Sequence, residues 1–239
     1  MLELYHESFE EVQVGVDEVG RGCFVGPVVA SAVIWDNQWV ASQLSENKNG
    51  HEDEHERNLI EQHRRCLHLI KDSKKLSQKN RDMLYEFIVK NCRSYSIEYV
   101  SENIIDEINI LNATYNAMHG ALNSVVKTTS FHKILVDGDR FRPYMNRDPT
   151  IEYLNIPHIC VPSGDNVYLN IASASILAKV SRDNYINDLV KSEPELEEKY
   201  NLKNNKGYGT KKHLDGIHKY GISKYHRNTF GICKQYAKK

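Results

Sequence analysis

Nowhere in the chain do apolar residues run unbroken for the roughly 18 positions that a membrane span needs. The N-terminus reaches the charged Glu3 and then His6 before any long apolar stretch. These absences predict a cytoplasmic protein with no targeting segment and no membrane contact. Cysteine is sparse as well. Cys23, Cys66, Cys92, Cys160 and Cys233 are odd in number, scattered, and form no CxxC pair. That pattern argues against a disulfide framework or a zinc knuckle and for a reducing compartment. Neither sign of charge is in excess: 31 Lys and Arg stand against 32 Asp and Glu, a formal net charge of -1. Any nucleic-acid contact must therefore come from local clusters rather than from a global positive field. No internal repeat is visible.

What is present suits an ordinary globular chain. With 239 residues, 40% hydrophobic and 26% charged, there is material for one sizeable core plus a subdomain. Strand patterns fall at about Glu11 to Asp17, Val28 to Trp35, Ser94 to Val100, Lys133 to Asp137 and His158 to Val161. Helical spacing is found at Ser77 to Asn91, opened by an N-cap serine, at Ser101 to about Val126, and at Ile171 to Lys191. This alternation predicts an α/β domain whose first two strands pair antiparallel and whose later strands pair in parallel, giving a mixed sheet. Between Asn37 and Ile70 the chain turns polar and reads as a loop or insertion, helical in its second half near Leu59 to Ile70. His51, His55, His63, His68 and Cys66 raise the question of a metal site there. Gly50 and the interleaved acids favour a solvated excursion. After Pro194 the composition becomes basic and tyrosine-rich, marking a C-terminal extension.

Three segments carry candidate chemistry. In the first, Val12, Val14 and Val16 alternate with Gln13, Gly15 and Asp17, the pattern of a half-buried strand from which Asp17 emerges on the polar side. Glu18 follows, then Gly20-Arg21-Gly22, where two glycines permit a bend and let a ligand approach bare backbone. A merely solvated acidic turn would carry the same letters. In the second, the apolar run Lys133 to Val136 ends in Asp137-Gly138, with Asp139 beyond it. In the third, Ala172, Ser175, Lys179 and Asp183 share one face of a helix rich in small residues. Asp183 either extends toward the strand ends or forms a surface i, i+4 pair with Lys179. Carboxylates converging from separate elements repel one another unless cations lie between them. Oxygen-only clusters suit Mg2+ or Mn2+, and two such ions can drive phosphodiester hydrolysis. Complementary charge lies in Lys203, Lys206, the run Gly207 to His213, and His226-Arg227, where cations and a tyrosine between glycines suit phosphate contact plus ring stacking. Asp72 to Leu76 forms a second cationic turn before a capped helix.

Taken in order, Asp17-Glu18, Gly20-Arg21-Gly22, Gly26 to Val29, Asp72 to Leu76, Val136-Asp137-Gly138, Ala174 to Val180 with Arg182-Asp183, and Gly207 to Thr210 resemble the type 2 ribonuclease H, or ribonuclease HII, family over nearly the whole chain. The resemblance implies an RNase H-like α/β fold, a mixed five-stranded sheet flanked by helices. It implies a catalytic domain over 1–195, with a polar insertion at about 41–68, and a substrate-binding extension over 196–239. It further implies cleavage of RNA in RNA-DNA hybrids and incision 5′ to ribonucleotides embedded in duplex DNA, with 3′-hydroxyl and 5′-phosphate ends. Asp17, Glu18, Asp137 and Asp183 match the four metal-binding catalytic acids, for Mg2+ or Mn2+. Gly20, Arg21 and Gly22 match the segment that senses the ribose 2′-hydroxyl. Tyr208 matches the tyrosine that stacks on the neighbouring deoxyribose, and Lys74 and Lys179 fall near the substrate backbone. The chain is expected to act as a monomer. Cys23 and Phe24 depart from the usual sequence after Gly-Arg-Gly, which bears on how strictly ribose is read. A junction resolvase would use similar acids, and a non-catalytic nucleic-acid-binding module could keep the fold, though a decayed site would tolerate loss of an acid and all four are present.

Overall fold

The structure, a computed structural model, describes residues 1–45, 54–71, 73–145 and 155–237. Its centre is a five-stranded sheet of β1 (Gln13–Val19), β2 (Val28–Ile34), β3 (Ser94–Val100), β4 (Lys133–Asp137) and β5 (His158–Val161). The strands lie in the order β3-β2-β1-β4-β5. β1 pairs antiparallel with β2, and β2 with β3, while β1–β4 and β4–β5 are parallel. The helices are α1 (Asn37–Leu44), α2 (Glu54–Leu69), α3 (Gln78–Asn91), α4 (Glu102–Val125), α5 (Leu169–Ser192), α6 (Glu195–Tyr200), α7 (Leu202–Asn205) and α8 (Lys211–Tyr220).

Helices cover both faces of the sheet. Val14 and Val16 point toward α4 and pack with Ala113, Ala117 and Leu122. The opposite face of β1 is also buried, which differs from the half-buried strand that the alternation predicts. The reason is α5. A Cβ on Gly15 would lie 2.3 Å from the carbonyl carbon of Asn170, so the helix rests directly on the strand backbone. Polar groups under that helix are satisfied: Asn170 donates to the Gln13 carbonyl at 2.9 Å, and Trp35 Nε1 donates to Ser173 at 2.9 Å. Small residues along α5 permit this approach, and Gln13, Gly15 and Asp17 are interior as a result.

The stretch after Asn37, expected as a loop, begins with a helix. Asp36 caps α1 by accepting from the Trp39 amide at 3.0 Å. Trp39 stacks on Trp35 with ring centroids 5.7 Å apart, so burial of one aromatic and Val40 outweighs the polarity of the rest. Helix α2 starts at Glu54, earlier than Leu59. His63 packs against Trp39 and Phe87 and bonds Gln43, the role of a core-edge histidine rather than a metal ligand. His51 and Asp72 lie outside the described residues. Helix α4 is two segments joined at Asn109 (φ 67, ψ 164), whose Oδ1 accepts from the Leu111 and Asn112 amides and so caps the second segment. Beyond Pro194 a third core joins Leu196, Tyr200, Leu202 and Ile217 to Ile186, Leu189 and Val25. No helix among the described residues is long and apolar enough to cross a membrane.

Candidate active site

Parallel pairing of β1 with β4 sets Val16 beside Val136, so the next residues, Asp17 and Asp137, lie at the same level, Asp137 as the last residue of β4 and Asp17 inside β1, which runs on to Val19 against β2. Asp17 is buried. Its carboxylate accepts from the Glu18 amide at 2.6 Å, the Ser175 hydroxyl favours its charged form, and Ser175 Oγ lies 3.0 Å from Ser73 Oγ. Asp137 accepts from the Gly164 amide at 2.7 Å. Burial, reinforced by the charges of Glu18 and Asp137, holds Asp17 well above the usual carboxylate range. Burial also raises Glu18, opposed by Arg21, whose Nη1 stands 3.2 Å away. Glu18, Arg21, Asp137, Gly138, Arg140 and Tyr115 line a cleft of about 440 Å³. Asp139 borders the same cleft, at its solvent side.

Helix α5 runs alongside β1 in a definite register. Gly15 meets Asn170, Asp17 meets Ser175, and Gly20 meets Arg182. Lys179 and Asp183 therefore follow Ser175 by one and two turns on a single stripe. Lys179 Nζ lies 2.8 Å from Asp183 Oδ1, with the Asp183 side chain only 3% exposed. The pair is interior, not the surface pair that i, i+4 spacing also allows. Asp17, Glu18 and Asp137 thus act on one another directly, while Asp183 is held on the helix that supports Asp17. Among the described residues, no three His, Cys, Asp or Glu side chains already converge as a metal site. The donor set nonetheless consists of oxygens alone, with more buried negative charge than Arg21 and Lys179 offset. That is the chemistry of hard divalent cations.

The Gly-Arg-Gly turn faces Tyr208. Gly20 has φ +91, and a Cβ there would fall 2.3 Å from Arg182 Nε, so both backbone and packing require glycine. Around Gly22 there is open space. Arg182 is fully buried and donates to the carbonyls of Pro27 (3.0 Å), Val25 (2.9 Å) and Lys206 (2.8 Å), with its guanidinium 5.9 Å from the Tyr208 ring. Cys23 bridges antiparallel to Tyr208. Burial first, then the nearby thiol, pushes the Tyr208 hydroxyl up to about 12, while the residue as a whole stays 40% exposed. Lys74 sits in a short 3-10 turn, Ser73–Lys75, that docks on α5 through Ser73 and Ser175.

Several residues have roles that the sequence reading did not assign. Ser73, Ser175, Arg182 and Gly164 support the site but present no chemistry of their own in sequence. His213, His226 and Arg227, read there as cations for phosphate contact, are fully interior instead. Lys203, Lys211 and Lys212 remain exposed.

Sheet order, strand directions and flanking helices together define an RNase H-like fold. A family model described as ribonuclease HII matches residues 58–233. Ribonuclease HII of Christiangramia forsetii is 39% identical over 238 residues, spanning 100% of this chain and 98% of that protein, and so includes the Asp17 to Gly22 segment. The chain belongs to the ribonuclease HII family. Among solved structures, ribonuclease H2 from Pyrococcus horikoshii superposes with a TM-score of 0.64 at 25% identity, covering 94% of this chain and 96% of that one. The Bst-RNase HIII structure in complex with Mn2+ shares the fold at 18% identity and a TM-score of 0.54, over 76% of this chain and 55% of that one.

Proposed function

We propose that this ribonuclease H hydrolyses RNA in RNA-DNA hybrids and incises 5′ to a ribonucleotide embedded in duplex DNA, leaving 3′-hydroxyl and 5′-phosphate ends. The observation that carries this reading is one cleft shared by Glu18, Asp137 and Arg21, placing acids for phosphodiester chemistry beside the turn that would test the sugar. Asp17, Glu18, Asp137 and Asp183 would hold two Mg2+ or Mn2+ ions, which when bound supply an activated water and stabilise the leaving oxygen.

The chain's own groups prepare that site. Ser175 and the Gly164 amide orient Asp17 and Asp137, and Lys179 holds the Asp183 side chain in place until substrate and cations arrive. Backbone groups of Gly20, Arg21 and Gly22 bracket the 2′-hydroxyl, with the open space at Gly22 admitting the sugar. Tyr208 offers its exposed ring face to the neighbouring deoxyribose. Lys74 and Lys179 contribute positive charge along the substrate backbone, and the 196–239 segment binds the duplex beyond the cleft. Cleavage of three labelled duplexes tests the reading: one with a single ribonucleotide, an RNA-DNA hybrid, and an all-DNA control. Divalent-dependent cutting of the first two alone is expected. Cutting of the all-DNA duplex, or of a DNA junction, would overturn it.

A further inference from the structure

The segment Cys23 to Gly26 is clasped from both sides. On one side the Phe24 amide donates to the Gly207 carbonyl at 2.7 Å, and Cys23 bridges to Tyr208. On the other, the Gly26 amide donates to the Tyr225 carbonyl at 3.0 Å, the Arg227 amide donates to the Phe24 carbonyl at 2.8 Å, and Val25 bridges to His226. Side chains extend the clasp. Arg227 is fully buried, with Nη1 donating to the Arg21 carbonyl at 2.9 Å and Nε donating to the Gly26 carbonyl at 2.9 Å. One rigid guanidinium thus spans both ends of the loop that follows Gly20. Phe230 supports it from 4.9 Å, and Asp106 on α4 pins the next two residues by accepting from the amides of Asn228 (2.6 Å) and Thr229 (2.9 Å).

His226 reaches the other half of the sugar site. The Ser223 amide donates to His226 Nδ1 at 3.0 Å, so that nitrogen carries no proton. His226 Nε2 therefore bears it and donates to His213 Nε2 at 3.1 Å. His213 Nδ1 in turn donates to the Tyr208 carbonyl at 3.0 Å, which can only accept. A single assignment of neutral tautomers satisfies every contact, and both rings are interior.

We infer that His226 and Arg227 are positioning residues that fix the Gly20-Arg21-Gly22 turn relative to Tyr208 and so set how strictly ribose is distinguished from deoxyribose. The inference rests on the proposed ribose-sensing role of that turn. Two adjacent residues hold its two halves: Arg227 grips the Arg21 carbonyl, and His226 fixes the Tyr208 carbonyl through His213. Neither touches the acids, so their loss would displace the sugar without removing the hydrolytic groups.

The test uses the full chain in an Asp137→Asn background, so that nothing is cut, and measures affinity for a duplex with one ribonucleotide relative to the same all-DNA duplex. Arg227→Lys and His226→Leu should shrink that ratio by about tenfold, the scale of one lost hydrogen bond. His226→Gln, which keeps a donor toward His213, should retain more of it. With Asp137 restored, both damaging variants should lower kcat on the ribonucleotide duplex. A role limited to folding would reduce the active fraction and leave the ratio unmoved. An unchanged ratio in folded His226→Leu or Arg227→Lys overturns the inference, and either variant suffices should the other fail to fold. Equal binding of the two duplexes by the Asp137→Asn parent would instead overturn the ribose-sensing reading itself.

Discussion

The hydroxyl of Ser175 favours the charged carboxylate of Asp17, joining helix α5 to strand β1 beneath the acid cleft. Ser73, 3.0 Å from the same hydroxyl, ties the Lys74 turn to that junction. Ser175→Ala keeps the small size that lets α5 lie on the sheet and removes only the donor. A hydrogen bond to a charged group contributes about 1.5 kcal/mol, close to a tenfold change in rate when the group acts in catalysis. Steady-state kinetics should show kcat reduced by about that factor with KM little altered. Unchanged kcat would mean that Asp17 is held well enough without Ser175.

Lys179 and Asp183 form the one interior ion pair of the α5 stripe. Lys179→Met leaves Asp183 buried without its counter-charge, and breaking such a pair costs about 3 kcal/mol. Thermal unfolding without divalent ions should show a lower Tm than in the parent protein. Added Mn2+ should raise Tm more in the variant, because a cation then occupies the place of the lost ammonium. Equal stabilisation of both proteins by Mn2+ would contradict the placing of Asp183 among the ligands.

Acid sensitivity should come in part from the His213–His226 pair. Burial, then the proximity of His213, pushes His226 down from 6.5 to about 3, and burial lowers His213 as well. The facing groups are the Tyr200 and Phe24 rings, Ser223 and the Tyr208 carbonyl, with no carboxylate among these contacts to favour the charged form. Below pH 6.5 the unfolded chain takes up protons that the folded pair refuses. Stability is therefore fully present above that pH and falls as pH drops toward about 3. His226→Gln should flatten the acid side of a Tm-against-pH curve. A curve with the parental slope would show that other groups govern acid unfolding.

The strands were legible because their letters are local: each of the five expected runs coincides with an observed strand to within two residues at either end. Asp137 was legible as a strand-end acid, Asp17 and Glu18 as acids of the first strand, which runs on to Val19 rather than ending at them, and Asp183 as a stripe residue of α5. What the alternation of Val12 to Asp17 did not disclose is that its polar face is covered, since a helix resting on Gly15 is a long-range event. Helix α1 was hidden for a related reason. Asn37 to Leu44 is half polar, and what holds it as a helix is the packing of Trp39 on Trp35 and of Val40 in the core. His213, His226 and Arg227 read as surface cations because charge in sequence carries no sign of burial. Their partners are backbone carbonyls and one another, which no residue pattern announces.

On the proposed function, the acids form one hydrolytic site distinct from the groups that grip the duplex. Asp137→Asn tests it most directly, because Asp137 lines the cleft and its loss leaves the β1–β4 pairing intact. The measurement is turnover on a duplex with one ribonucleotide together with affinity for an RNA-DNA hybrid. Turnover should fall to background while hybrid affinity stays within about threefold of the parent, less than 1 kcal/mol. Near-parental turnover in this variant would remove Asp137 from the hydrolytic site.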